Sequence, residues 1–200
     1  MSTGCFSAAD ASAIAEGDQH SDEGKDKKPG VGGKVGGLPI VGSPVIVPDE
    51  AQRQRNRDFH AFGTSSQNAS RITELIGASL GGGGGDLFAF GIYLHFLQDS
   101  YSHRDFAGSD TFGQARELHR ADHTSADPKK AMDMARATFD NVRAFGRRNG
   151  CECDGKPDWG LVQRFIDVGY PRGSMNDFRD ITAGQLSRKI QILGVPPRGH

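Results

Sequence analysis

The run Gly-Ile-Tyr-Leu-His-Phe-Leu-Gln-Asp-Ser-Tyr-Ser-His places His95, Asp99 and His103 four residues apart. On an α-helix each four-residue step turns ~400°, so the three side chains leave one face within ~80° of each other. Leu87, Phe88, Phe90, Ile92, Leu94, Phe96 and Leu97 make this the most apolar stretch of the chain. Two imidazoles and a carboxylate in such surroundings are costly without partners, and a divalent metal partners all three. The chemistry this predicts is metal binding, and through it the activation of water.

The other acids and imidazoles gather in three segments around that run. His60 stands in Arg-Asp-Phe-His-Ala-Phe-Gly, and His119, Asp122 and His123 stand in Glu-Leu-His-Arg-Ala-Asp-His-Thr. Asp18, His20, Asp22 and Glu23 stand in Gly-Asp-Gln-His-Ser-Asp-Glu, and of seven histidines only His200 falls outside these groups. Clustering at helix ends and on one helix face suits a site in the middle of a bundle. His20 and His123 read more simply as solvated, and Asp105 and Asp110 as loop residues.

The elements that must position these groups are helical. A short helix is expected from Ser7 to Asp18, with Ser7 as cap and Ala11, Ile14 and Ala15 at helical spacing. A long Gly-rich loop is expected over residues 23–58, with a short hairpin through Ile40–Val47. Ser65 to Leu80 reads as a second helix carrying Ile72, Ile76 and Leu80 on one side, ended by Gly81–Gly85. Asp86 then caps the helix of the His/Asp/His triplet. Asp127-Pro128, a cap followed by a first-turn proline, opens a helix whose stripe is Ala131, Met132, Ala135, Phe139, Val142 and Phe145. Further helices are expected over Asp158–Val168 and Thr182–Leu193. Nothing reads as paired strands. The expected fold is mainly α: one helical domain over residues 1–200, with a core of about 7–193, bundled around a metal site.

Composition excludes some functions. The formal charge of −1 gives no reason for electrostatic capture by nucleic acid or an anionic membrane. No run approaches the ~20 apolar residues of a membrane span, and the first residues lack a secretory signal's basic-then-apolar pattern. Cys151 and Cys153 are too close to pair easily, and an exposed loop with free thiols or one long-range disulfide is the expected outcome.

The segment Leu-His-Phe-Leu-Gln-Asp-Ser-Tyr-Ser-His resembles the central metal-binding helix of the zinc-dependent phospholipase C and zinc nuclease superfamily. The resemblance covers roughly Ala8 to Phe145 and looks closest to compact bacterial members, some of which are domains of larger secreted or toxin-like proteins. It implies a helical fold, up to three zinc ions and hydrolysis of phosphate esters. His95, Asp99 and His103 match the helix motif; Asp22 and His60 would be the upstream ligands, and His119 and Asp122 the later ones. Two departures bear on the metal count. Nothing before Asp10 coordinates strongly, where the superfamily commonly uses an N-terminal residue and an early histidine. Gly113-Gln114 stands where compact relatives often have Gly-His. Two zinc ions are therefore expected rather than three.

The leading expectation is a zinc-dependent phosphoesterase, secreted or extracytoplasmic by the same resemblance. Asp99 or Asp22 would bridge zinc, and Asp22 or Asp122, if unligated, would serve as general base. Tyr93, Tyr101 and Phe106 are candidates to line the substrate entrance, with Arg104 a candidate for the phosphate. A phospholipid headgroup or small phosphodiester is favoured over nucleic acid on charge grounds. Two rivals stand beside it: a non-catalytic module in which metal is a structural staple of a larger assembly, and a metal-free helical domain with hydrogen-bonded histidines.

Overall fold

The computed structural model describes residues 6–23, 50–81, 85–106 and 124–167, with the backbone alone at Asp22, Glu23, Gln52 and Phe106. Six α-helices run through them: α1 (Ala8–Glu23), α2 (Glu50–Phe59), α3 (Ser65–Leu80), α4 (Leu87–Ser102), α5 (Pro128–Arg148) and α6 (Trp159–Asp167). Single 3-10 turns follow α4 at Arg104–Phe106 and precede α5 at Thr124–Ala126. Among the described residues there is no strand, and the mainly-α expectation holds.

Local chemistry explains most boundaries. Thr64 and Gln67 form a reciprocal capping box at the start of α3, each side chain meeting the other's backbone N–H. Asp86 accepts from the Ala89 N–H at the head of α4, and Asp127 from the Lys130 N–H at the head of α5. Ser7 and Asp10 cap α1 in the same reciprocal way.

Two expectations need correction. The loop expected over residues 23–58 is helical at both ends: Glu23 closes α1, and residues 50–58 lie in α2. The sequence Glu-Ala-Gln-Arg-Gln-Arg-Asn-Arg-Asp-Phe has good helix formers but almost no apolar residues, so periodicity could not reveal it. Arg57 bonds Glu50 and Gln54 along its surface, adding the polar support such a helix needs. The first helix also continues beyond Asp18 for more than a turn, through Gly17. The rest of the expected loop, the Ile40–Val47 hairpin and the Thr182–Leu193 helix lie outside the described residues.

α4 is the hub, packing on α1, α3 and α5. Its Phe90, Tyr93, Leu94 and Leu97 form the main core with Phe145 of α5, and Ile72, Leu75 and Ile76 of α3 close over them. The Phe90 and Phe145 rings stack at 3.8 Å between centroids and 9° between planes. Tyr93 donates to Asn141 Oδ1 at 2.6 Å, and burial pushes its hydroxyl up, with Tyr101 adding to the shift. A buried, bonded Tyr93 is no entrance residue, which corrects that expectation. A smaller cluster of Ala131, Val162 and Ile166 holds α5 to α6. Cys153 is disulfide-bonded and Cys151 is a free thiol. No described helix is long and apolar enough to cross a membrane.

α1 lies on α4 at a glycine-on-glycine crossing. A Cβ on Gly17 would run into the Phe88 carbonyl and stand 3.1 Å from Gly91 Cα, and a Cβ on Gly91 would run into the Ile14 carbonyl. Only hydrogen at both positions allows this approach. Its effect is local: Asp18 follows Gly17, and His95 is one turn on from Gly91.

Candidate metal centre

The opposite edge of α4 from its core face presents His95 and Asp99, and the linker between α2 and α3 brings His60 onto them. His60 Nδ1 lies 3.0 Å from Asp99 Oδ2, His95 Nε2 lies 3.2 Å from the same oxygen, and the two nitrogens are 3.3 Å apart. The two imidazole rings meet edge to face with centroids 5.2 Å apart. His60 and His95 are buried and Asp99 is partly so.

The short linker is strongly determined. The His60 N–H donates to the Asn56 carbonyl at 3.0 Å and continues the turn that ends α2. Ala61 then takes φ of 52°, a left-handed conformation that costs an alanine roughly 1–2 kcal/mol. Asn68 of α3 offsets this by donating to the Ala61 carbonyl at 2.8 Å. The reversal at Ala61 lets His60 and Phe62 both face α4. Phe62 stacks on His103, with centroids 4.3 Å apart and planes at 25°.

His103 is attached to the trio rather than part of it. Its Nδ1 lies 2.8 Å from the His60 carbonyl, and since a carbonyl only accepts, that nitrogen carries the proton. Beyond it, Lys130 of α5 donates to the Ser102 carbonyl and to Asp105 Oδ2, both at 3.1 Å, and so pins the turn that carries His103.

Burial would raise Asp99. Hydrogen bonds from His60 and His95 and the nearby charge of His95 and His103 outweigh that effect, so its carboxyl is held well below the usual carboxylate range. An ionised carboxylate is therefore the resting state of this oxygen pair.

The trio fits a metal by its geometry and its donors. Tetrahedral bonds of ~2.0–2.1 Å set ligand atoms ~3.3 Å apart, and the three separations here run from 3.0 to 3.3 Å. No placement of ring protons makes all three contacts favourable. If both nitrogens donate to Asp99, their N–H groups crowd each other; if one accepts, its lone pair faces the carboxylate. A single cation replaces both protons and removes the conflict. The group His60, His95 and Asp99 could thus hold a metal ion.

The remaining expected residues divide as follows. Asp22 belongs to α1, but its side chain lies outside the described residues, as do His119 and Asp122 altogether. Arg104 is about half exposed and leans on Asp105 at 3.9 Å. Asp18, not an expected ligand, comes within 3.7 Å of His95 Nδ1. The sequence signal for it is the neighbouring Gly17, where α1 can approach α4 closely. Compared with known proteins, the chain matches no family model, no curated protein and no solved structure.

Proposed function

We propose that His60, His95 and Asp99 hold zinc and that the protein is a zinc-dependent hydrolase of phosphate esters, phospholipase C-like in its chemistry. The observation that carries the metal reading is the spacing of the three donor atoms, 3.0–3.3 Å on every side. Two imidazole nitrogens and one carboxylate oxygen are a donor set that zinc takes in hydrolytic sites, which use three protein ligands and keep a fourth position for water or substrate. When bound, zinc supplies a hydroxide nucleophile near neutral pH and offsets charge on the phosphoryl oxygens. His60 and His95 provide neutral donors, and Asp99 provides the one negative charge. Phe62 and His103 wall the trio, and the His60 carbonyl keeps the His103 ring in one orientation. The resemblance of the α4 segment to the zinc-dependent phospholipases and nucleases supports phosphate esters as the substrate class, and the near-neutral charge supports a phospholipid or small phosphodiester over long nucleic acid.

The test is elemental analysis of protein purified without chelator, followed by assays on a chromogenic phosphodiester, phosphatidylcholine micelles and single-stranded DNA. At least one equivalent of zinc is expected, with turnover that chelator abolishes and zinc restores. Less than a tenth of an equivalent would overturn the metal reading. Tightly held zinc with no turnover of any of the three would favour a metal-stapled binding module.

A further inference from the structure

Among the described residues, Ala61 is the one non-glycine residue in the left-handed region, and it is fully buried. Glycine takes this conformation without strain, and alanine does not. The side chain that meets the turn is Asn68 of α3, itself only 7% exposed, whose Nδ2 donates to the Ala61 carbonyl at 2.8 Å. A carbonyl only accepts, so the orientation of this amide is settled. Its Oδ1 then lies against Gly63, where a Cβ would stand 2.8 Å away, and has no hydrogen-bond partner among the described residues. A buried amide oxygen left unmatched is costly. What Asn68 contributes in return is its bond to Ala61.

We propose that Asn68 is a positioning residue of the metal centre: by holding the Ala61 carbonyl it keeps the chain reversal that turns His60 onto Asp99. The proposal rests on the metal reading of the trio. Ala61 separates two side chains that both face α4, His60 toward Asp99 Oδ2 at 3.0 Å and Phe62 against the His103 ring. With Ala61 in an ordinary right-handed or extended conformation the chain leaves the turn in another direction, and the two no longer face α4 together. The His60 carbonyl, which accepts from His103 Nδ1, belongs to the same turn. Release of Ala61 thus displaces a metal ligand and the neighbouring ring at once. A site assembled in only a fraction of the molecules binds its metal more weakly by that fraction.

The surroundings of the turn support the assignment. α3 holds the chain on both sides of His60: Asn68 takes the Ala61 carbonyl, and Arg71, one turn further along α3, donates from Nε to the Asp58 carbonyl at 3.1 Å. From α2, the Asn56 carbonyl accepts from the N–H groups of His60 at 3.0 Å and of Phe62 at 3.4 Å. The capping box of Thr64 and Gln67 fixes where α3 begins, and so where Asn68 meets the linker. Asn68 acts on the site through backbone, as residues behind a metal ligand do when they set its orientation.

The experiment is a double-mutant cycle read by zinc competition titration: the wild-type chain, Asn68→Ala, Ala61→Gly and the two substitutions together, with Ser79→Ala as control. Ser79 is a buried polar residue of the same helix, donating to the Ile76 carbonyl, and its loss tests damage to α3 alone. Asn68→Ala should weaken zinc ~10–100-fold. In the Ala61→Gly background the same substitution should cost much less, because glycine holds the left-handed turn unaided. Ser79→Ala should lower stability in denaturant melts and leave zinc affinity unchanged. Undiminished affinity in Asn68→Ala, a loss as large in the Ala61→Gly background, or an equal loss in Ser79→Ala would overturn the proposal while leaving the metal reading intact. If Asn68→Ala does not fold, the double variant decides: a folded chain that binds zinc upholds the proposal, and an unfolded one overturns it. A wild-type chain that takes up no zinc would overturn both readings.

Discussion

The two faces of α4 are built on different principles. One face carries Phe90, Tyr93, Leu94 and Leu97, buried against α3 and α5 through shape and area, with one hydrogen bond from Tyr93 to Asn141. The other carries Gly91, His95, Asp99 and, at the helix end, His103, where three polar atoms crowd one point and no arrangement of protons satisfies them all. The first face makes the helix stable in its place; the second holds groups that could together bind a metal ion. The lesson is that stability and chemistry are separable here, although they share sixteen residues of one helix.

The sharpest test of that separation exchanges the faces. His95→Ala or Asp99→Ala should reduce bound zinc below a tenth of an equivalent and abolish phosphodiester turnover, each by removing one of three ligands, with a modest effect on metal-free stability. Phe90→Ala should do the reverse: metal stoichiometry retained, with unfolding free energy lowered by about 3–5 kcal/mol as the stack with Phe145 is lost. Denaturant melts and elemental analysis on the same preparations read both. If His95→Ala proved as destabilising as Phe90→Ala in the presence of chelator, the two faces would not be separate.

A smaller effect is expected where the faces meet. Gly91→Ala places a methyl group against the Ile14 carbonyl and Gly17 Cα, so α1 must move. Stability should fall by about 1–3 kcal/mol, and zinc affinity should fall with it, which neither face alone would predict. Calorimetry and the zinc titration check the two changes together. The smallest effect is acid dependence. Asp99 is depressed in the folded chain, so its contribution is fully present above the ordinary carboxyl range of ~4 and is lost as pH falls through its lower folded value. In chelator, the stability gap between the wild-type chain and Asp99→Asn should therefore narrow as pH falls below ~4. A gap that does not change below ~4 would mean that the Asp99 carboxyl is not depressed as described.

How much of this was legible in the sequence depends on whether the cause was local. Capping is local: Thr64 and Gln67, Asp86, and Asp127 with Pro128 announce where α3, α4 and α5 begin, and each helix starts there. The pairing of His95 with Asp99 is also local, being one helical turn. α2 was hidden because its helicity rests on backbone propensity and surface charge pairs, with no apolar stripe to betray it. His60 could be singled out as a histidine in an aromatic-flanked turn, but nothing in its own segment says that Ala61 reverses the chain and turns the ring toward α4. Asp18 was hidden for another reason. Its approach to His95 follows a contact between two glycines seventy-odd residues apart, and a glycine in a helix reads as a weak point until the opposing glycine is in view.

The bond from His60 to Asp99 spans 39 residues of chain. It encloses all of α3, the glycine run and most of α4, so an ion seated there acts as a removable crosslink. Closing a segment of that length removes conformational freedom from the unfolded chain much as a disulfide would, but the link opens and closes with the free metal concentration. At a thousandfold excess over the dissociation constant, an ion bound only to the folded state adds ~4 kcal/mol, a sizeable share of what holds a domain of this size together. The resistance of the α2–α3 linker to proteolysis would then report the metal supply of the protein's surroundings.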